Sequence, residues 1–138
     1  MKLSRTVTYA VHATLQLARS DSSTPVPCRE LAAEGKMPER FLLQILRNLV
    51  THGILRSTRG VEGGYSLSRA PDEVSLLDVI EAVEGPLESN EEMAIQLPEI
   101  SQEKLRDALR QVTETSRRQL ESIKLTHLLQ PPPSDAVG

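Results

Sequence analysis

Aromatic residues are scarce in this sequence, since its 138 residues include no tryptophan, one phenylalanine and two tyrosines. The core must therefore be aliphatic, and it would be thin unless a partner chain extended it. The single cysteine, Cys28, excludes an intrachain disulfide. No stretch approaches the roughly 20 apolar residues of a membrane span, and polar residues interrupt the first apolar stretch where a secretory signal would be continuous. We therefore expect a cytoplasmic protein that does not associate with membranes.

Charge is distributed unevenly along the chain. The formal net charge is −3 at pH 7, which taken alone argues against binding to nucleic acid. Residues 1–70 nevertheless carry ten Lys and Arg against five Asp and Glu, a balance of +5, whereas residues 71–138 carry six against fourteen, a balance of −8. Any contact with a polyanion is therefore expected in the first half of the chain.

The first half of the chain has the pattern of a helix–turn–helix motif. Apolar residues at helical spacing predict helices over residues 4–19, 28–34 and about 38–51, with a turn that contains Gly35 before the third helix. We place Phe41 in the apolar stripe of the third helix. Its other side carries the residues that we expect to face a DNA major groove: Arg40, Leu43, Gln44 and Arg47. A solvated polar face is the alternative interpretation.

A glycine-rich run after the third helix predicts a two-stranded β wing. Residues 54–58 and 65–68 have the composition of short strands, and three glycines lie within the loop between them. Arg59 is expected to insert into a minor groove, whose negative potential attracts arginine, although a solvated loop arginine is the alternative. The other predicted DNA contacts in the wing are Gly60, Gly63, Gly64 and Tyr65. Packing of the strand is the competing role for the tyrosine.

The second half predicts a short helix followed by a long one. Residues 75–78 have the pattern of a capping box that begins a helix, and Gly85-Pro86 ends it. After an acidic segment, a helix is predicted from about Ser101 to Leu129. Its apolar residues follow a coiled-coil-like spacing, interrupted by polar positions, that is typical of helices packed on one another. The candidate dimerisation residues are those of this seam: Leu105, Leu109, Val112 and Ile123.

These patterns predict a mainly α fold, a winged helix–turn–helix with a two-stranded β wing and a long C-terminal dimerisation helix. We divide the chain into four parts. They are the DNA-binding region (1–70), a connector helix with an acidic loop (71–98), the dimerisation helix (99–130) and a disordered tail (131–138).

Three further residues have competing interpretations. Ser4 and Arg5 lie at the start of the first helix, where a phosphate is favourably bound, or they form a simple exposed terminus. Cys28 lies at a helix N-terminus beside Arg29, which would lower the thiol pKa and suit a redox sensor; a half-buried structural thiol is the alternative. The three histidines are not at metal-ligand spacing, and no nucleophile–base pair is evident, so neither a metal site nor an enzyme is expected.

Several segments in their order and spacing resemble the Rrf2 type of bacterial winged-helix transcription regulators over nearly the whole chain. They are Ser4-Arg5 with Tyr9-Ala10, Glu30-Leu31-Ala32, residues 41–46 (FLLQIL), Gly53-Ile54-Leu55, Arg59-Gly60 with residues 63–67 (GGYSL), and residues 75–85 (SLLDVIEAVEG). The resemblance implies a DNA-binding transcription regulator that dimerises through its long C-terminal helix.

The sequence departs from that family at its cofactor site. Many members bind an iron–sulfur cluster through three cysteines in the segment after the Glu-Gly motif. The corresponding residues 86–98 contain neither cysteine nor histidine, and a cluster is normally held by up to about four such ligands. In one branch an acidic residue near the N-terminus completes the ligand set, where this chain has Thr8. We expect no cluster and no other cofactor.

A second departure concerns base recognition. Several members carry Glu-Gln where this chain has Leu43-Gln44. A glutamate accepts a hydrogen bond from cytosine N4, whereas a leucine contacts apolar edges such as the thymine methyl group. The DNA sequence bound by this chain is therefore expected to differ from that of the glutamate-bearing relatives.

The function expected from the sequence is a homodimeric transcription regulator that binds a pseudo-palindromic operator in double-stranded DNA. One alternative is a protein-interaction module of the same fold that has lost DNA binding, which the acidic net charge and the missing cysteines favour. Another is a regulator that senses a small molecule or a partner protein at the dimer interface.

Overall fold

The computed structural model describes residues 2–20, 24–88 and 97–129. The predicted disordered tail, residues 131–138, and most of the predicted acidic loop lie outside these residues. The described part of the chain forms six α-helices and one two-stranded antiparallel sheet. Their bounds are α1 Arg5–Arg19, α2 Cys28–Gly35, α3 Glu39–Thr51, β1 Leu55–Thr58, β2 Gly64–Leu67, α4 Leu76–Glu84, α5 Glu99–Ser122 and α6 Leu125–Leu128, with a 3₁₀ turn at Pro71–Glu73.

The core is aliphatic, as the shortage of aromatic residues predicts. It forms where α1, α3 and α4 pack on one another, with α2 and the sheet at its edges. The largest fully buried side chains are mostly leucine and isoleucine, among them Leu31, Leu42, Leu46, Leu49 and Ile54. Removing one such side chain, for example by Leu46→Ala, is expected to cost about 2–5 kcal/mol of unfolding free energy.

Side-chain caps begin two of the core helices. The Ser4 hydroxyl accepts a hydrogen bond from the backbone N–H of Val7 at 3.2 Å and so caps α1. Ser75 and Asp78 form the capping box predicted for α4: the Ser75 hydroxyl accepts from the Asp78 N–H, and the Asp78 carboxylate accepts from the Ser75 N–H, both at 3.0 Å. These bonds satisfy backbone donors that a helix start would otherwise leave unpaired.

The wing is an antiparallel hairpin in which Leu55 pairs with Leu67 and Thr58 pairs with Gly64. Val26, just before α2, extends the hairpin because it forms an isolated antiparallel bridge with Tyr65. At Gly64, φ is +154°, and an added Cβ would lie 2.4 Å from the Val26 carbonyl carbon. The hairpin therefore needs a glycine at this position to approach the Val26 backbone.

The long C-terminal helix is shorter than predicted, because α5 ends at Ser122. Ile123 has an extended backbone, and its carbonyl accepts a hydrogen bond from the Leu76 N–H at 2.7 Å. The Leu125 N–H then donates to the Val74 carbonyl at 2.9 Å, and the Leu125 side chain is fully buried. A continuous helix could not make this backbone pairing beside α4. The prediction of one helix from about Ser101 to Leu129 is therefore wrong, and its seam ends before Ile123. The predicted dimer contact of Ile123 stays a prediction.

An ion pair joins the other end of α4 to α5. Nη1 of Arg117 lies 2.5 Å from Oε2 of Glu81, and the same carboxylate oxygen accepts the Leu87 N–H at 2.7 Å. The Glu81 hydrogen bond raises the pKa of the Arg117 guanidinium above its ordinary value. Both ends of α4 are thus bonded to the C-terminal part of the chain, while its apolar face packs on α1 and α3.

The predicted position of Phe41 in the apolar stripe of α3 is also wrong. Its side chain is 41% exposed, and its ring packs edge-on against Tyr9 with the ring centroids 5.8 Å apart. The buried stripe consists of Leu42, Ile45, Leu46 and Leu49.

In its main features, the predicted helix–turn–helix with a two-stranded wing is confirmed.

Candidate nucleic-acid interface

One face of α3 is polar, basic and exposed. Arg40, Gln44 and Arg47 are all exposed and follow one another at intervals of four and three residues, so they share a face. This face lies opposite the buried leucine stripe. Leu43 is half-buried, which places it at the edge of the exposed face rather than at its centre. The structure thus brings together three of the four residues predicted to contact a major groove.

A side-chain hydrogen bond lies on this face. Nε2 of Gln44 donates to Oδ1 of Asn48 at 3.3 Å, one helical turn further along. The backbone carbonyl of Asn48 accepts a hydrogen bond from the backbone N–H of His52 at 3.1 Å, at the end of the helix. The sequence analysis did not single out Asn48, although its spacing of four residues from Gln44 was a usable signal.

The tip of the wing exposes Arg59 and Gly60. The turn is closed by a hydrogen bond from the Gly63 N–H to the Gly60 carbonyl at 3.0 Å. Gly60 has φ +115°, a conformation that other residues rarely adopt. The glycines therefore shape a tight tip that presents the Arg59 side chain to solvent.

A second arginine, Arg56, shares a cleft on the wing with Arg59. The cleft is also lined by Pro25 and by the carboxylate-bearing Glu62. Nε of Arg56 donates to the Ser66 hydroxyl across the hairpin at 3.3 Å. The sequence analysis missed Arg56, but strand alternation could have found it, since Leu55 is buried and the next residue must point away from the core.

Tyr65 is half-buried, and its main visible role is structural. Its backbone N–H and carbonyl both pair with Val26, at 2.8 and 2.9 Å. The side chain packs against the main core cluster. Gly63 and Gly64 are half-buried as well, so they shape the hairpin, and the predicted direct DNA contacts of all three residues stay predictions.

The start of α1 is less suited to phosphate than predicted. The Ser4 hydroxyl, besides capping the helix, donates to the Glu84 carboxylate at the end of α4. An acidic side chain at this point repels a phosphate, and the hydroxyl is already engaged. Arg5 is exposed, and its predicted phosphate contact stays a prediction.

The Cys28 thiol fits the interpretation of a half-buried structural thiol better than that of a redox sensor. Burial raises its pKa, and the negative charge of Glu39 raises it further. The thiol donates a hydrogen bond to the backbone carbonyl of Glu39, with Sγ 3.6 Å from the carbonyl oxygen. The prediction of a lowered pKa is therefore wrong, because the helix N-terminus and Arg29 do not outweigh desolvation and a nearby carboxylate.

The residues of this chain do not fit an iron–sulfur cluster. Within residues 2–20, 24–88 and 97–129, no group of three or more His, Cys, Asp or Glu side chains could hold a metal ion. The one thiol in the sequence donates a hydrogen bond to a backbone carbonyl.

In the same described parts, none of the helices is long and apolar enough to cross a membrane.

The predicted dimerisation helix has an exposed apolar row. Leu105 is 40% exposed and Val112 is 62% exposed, while Leu109 between them is half-buried. Ile100, five residues before Leu105, is also 66% exposed, but it lies outside the seam spacing and was not predicted. Large aliphatic side chains at seam spacing on one helix are typical of a face that packs against another helix.

Comparisons with known proteins agree with this architecture. The family named Rrf2 and described as iron-dependent transcriptional regulator matches residues 3–131. The chain belongs to the Rrf2 family. The iron-dependent description is that of the family. In this chain, residues 86–98 contain neither cysteine nor histidine, the usual ligands of a cluster.

Two curated relatives illustrate the range of similarity. Rv1287 of Mycobacterium tuberculosis, provisionally assigned as an HTH-type transcriptional regulator, is 46% identical over 89 residues, which is 64% of this chain and 55% of the relative. The match thus spans about half the length of that relative. The HTH-type transcriptional regulator CymR of Bacillus subtilis is 28% identical over 118 residues, or 84% of this chain and 86% of CymR.

Solved structures of the family have the same fold. The structure of B. subtilis CymR, described as the global cysteine regulator, has a TM-score of 0.74 at 26% identity and covers 93% of this chain and 95% of its own. The IscR structure from T. potens has a TM-score of 0.72 at 26% identity, with coverages of 93% and 85%. The Rrf2 winged helix therefore extends over most of this chain.

Proposed function

We propose that this Rrf2 chain is a sequence-specific DNA-binding transcription regulator that acts as a homodimer in the cytoplasm. The observation that carries the proposal is the placement of exposed arginines. Arg40 and Arg47 flank Gln44 on α3, while Arg56 and Arg59 lie on the wing. These basic groups occupy the elements with which a winged helix contacts DNA.

The two elements would contact different parts of the duplex. The exposed face of α3 would enter a major groove, where Gln44 can reach base edges and the arginines can reach phosphates or guanine. The wing would lie against the neighbouring minor groove, whose negative potential favours the Arg59 side chain. Leu43 at the edge of α3 would contact an apolar base edge such as a thymine methyl group.

Dimerisation would proceed through the exposed row of α5. Leu105, Leu109 and Val112 would pack against the same residues of a second copy. A two-fold symmetric dimer binds two half-sites that are about one helical turn, or a multiple, apart, so the operator would be pseudo-palindromic. The ion pair between Arg117 and Glu81 would help to hold this helix on the DNA-binding domain.

The function is tested by selecting bound duplexes from a random DNA pool at physiological salt. Enrichment of a pseudo-palindromic sequence, with binding that weakens steeply as salt rises, supports the proposal. Binding that shows no sequence preference and little dependence on salt contradicts it. A pool that stays unenriched would favour a protein-interaction module of the same fold.

A further inference from the structure

The hydrogen bond between Gln44 and Asn48 restricts how Gln44 can meet a base. Gln44 is exposed at the centre of the polar face of α3, whereas Asn48 is half-buried beside it. An exposed glutamine ordinarily samples several rotamers and loses that freedom when it binds. The hydrogen bond from Nε2 of Gln44 to Oδ1 of Asn48, at 3.3 Å, favours one orientation of the Gln44 amide before DNA binds.

The hydrogen-bonding groups that remain on Gln44 match one base, adenine, through two hydrogen bonds at once. A primary amide carries two N–H donors and one carbonyl oxygen. With one N–H donated to Asn48, Gln44 keeps one donor and its acceptor. In the major groove, adenine offers an acceptor at N7 beside a donor at N6, which complements such a pair. Guanine offers two acceptors, N7 and O6, and the second would face the glutamine carbonyl unfavourably.

We propose that the Gln44–Asn48 pair of α3 reads an adenine in each half-site, with Gln44 contacting the base and Asn48 acting as its positioning residue. This inference rests on the proposed function, since it requires α3 to enter a major groove. Arg40 and Arg47, which flank Gln44 on the same face, would anchor the phosphates on either side and bring the amide within reach of the base.

The experiment uses the full chain and the duplex selected by it from a random pool. Relative affinities are measured for duplexes in which each base pair of the half-site is replaced in turn, with wild type and three variants. Gln44→Ala removes the base contact. Asn48→Ala removes the acceptor that orients Gln44 and retains helix propensity. Asn48→Asp retains an accepting oxygen at the same place, so it is the conservative control.

We expect wild type to prefer A·T at one position of each half-site by about tenfold or more, the value of a good bidentate contact. Gln44→Ala should abolish the preference at that position alone, and Asn48→Ala should reduce it severalfold. Asn48→Asp should weaken binding to all duplexes similarly, through its added charge, and preserve the preference. Circular dichroism establishes that every variant is folded.

The positioning role of Asn48 is overturned if Asn48→Ala keeps the wild-type preference for A·T. It is also overturned if Asn48→Asp loses that preference as Asn48→Ala does. A wild-type operator without a Gln44-dependent A·T position overturns the adenine assignment while leaving DNA binding intact. If wild type shows no salt-dependent DNA binding at all, the proposed function itself is contradicted, which is a distinguishable result.

Discussion

Val26 and Tyr65 exchange two backbone hydrogen bonds, with N–O distances of 2.9 and 2.8 Å, and so join the start of α2 to the wing. This pairing adds a third extended segment to the β1–β2 hairpin. A two-stranded hairpin is only marginally stable alone, and a third strand helps to hold it. The position of the wing relative to the helix–turn–helix is therefore set partly by the backbone.

A substitution at Gly64 should test this pairing. A Cβ added at Gly64 would lie 2.4 Å from the Val26 carbonyl carbon and 2.5 Å from its oxygen, so Gly64→Ala should separate the two segments. We expect a loss of about 1–3 kcal/mol in unfolding free energy, measured by urea denaturation. Gly53→Ala is the control, because φ there is +77° but nothing lies within 4 Å of an added Cβ. A smaller loss for Gly64→Ala than for Gly53→Ala would contradict the role of the pairing.

Arg59 at the wing tip should contribute directly to DNA affinity. Arg59→Ala is expected to weaken binding to the selected operator by about 1–3 kcal/mol, through the loss of an arginine contact to the minor groove. Fluorescence anisotropy measures the affinity. Arg118→Ala is the matched control, since this arginine is also exposed but lies on α5. Equal affinities for the two variants would count against a wing contact.

Arg56, which the sequence analysis missed, should act mainly through charge. Because it lies beside Arg59 in the wing cleft, Arg56→Ala is expected to weaken binding to all duplexes alike. The slope of log affinity against log salt concentration should become shallower by about one unit, as for the loss of one phosphate contact. A slope identical to that of wild type would show that Arg56 contacts no phosphate.

The exposed row on α5 should determine the oligomeric state. Val112→Glu places a charge where Val112 is 62% exposed in one chain and would be buried in a dimer. Light scattering after gel filtration should show a dimer for wild type and a monomer for this variant. Gln111→Glu adds the same single negative charge at an exposed position of α5 outside the predicted seam and should remain dimeric. A dimeric Val112→Glu protein would place the interface elsewhere.

Cys28 should react slowly with alkylating reagents. Because burial and Glu39 raise its pKa above the ordinary value of about 9.0, less thiolate is present near neutral pH than in the unfolded chain. Iodoacetamide should therefore modify the native protein more slowly than the urea-unfolded protein at the same pH. Because the folded state binds the thiol proton more tightly than the unfolded chain does, protonated Cys28 contributes to stability. This contribution is fully present below the unfolded pKa and is lost as pH rises through the folded pKa. Faster modification of the native protein would restore the redox-sensor interpretation.

The sequence predicted the helix–turn–helix and the wing well because their signals are local. Helical periodicity located α3, and the glycines between Arg59 and Tyr65 located the turn of the hairpin. The end of α5 was not predictable in the same way. Apolar residues continue at helical spacing beyond Ser122. The helix ends there because Ile123 and Leu125 pair through their backbones with Leu76 and Val74 at the start of α4.

Predictions about individual side chains depended on tertiary contacts that the sequence does not reveal. Cys28 looked activated by its helix, but burial and Glu39 dominate its pKa. Phe41 looked like a core residue, yet it packs at the surface on Tyr9. The sequence analysis missed Asn48 and Arg56, although helix spacing and strand alternation offered a signal for each. Their hydrogen bonds to Gln44 and Ser66 then showed them to be part of the candidate interface.

Binding of the wild-type chain to its selected operator tests the central claim most directly. Fluorescence anisotropy at physiological salt compares this duplex with a scrambled duplex of the same composition. Specific sites are typically bound about 10³-fold or more tightly than nonspecific DNA, so we predict an affinity ratio of that order between the two duplexes. The ratio should fall as the operator half-sites are mutated. Equal affinities for the two duplexes would contradict the claim that this chain is a sequence-specific DNA-binding regulator.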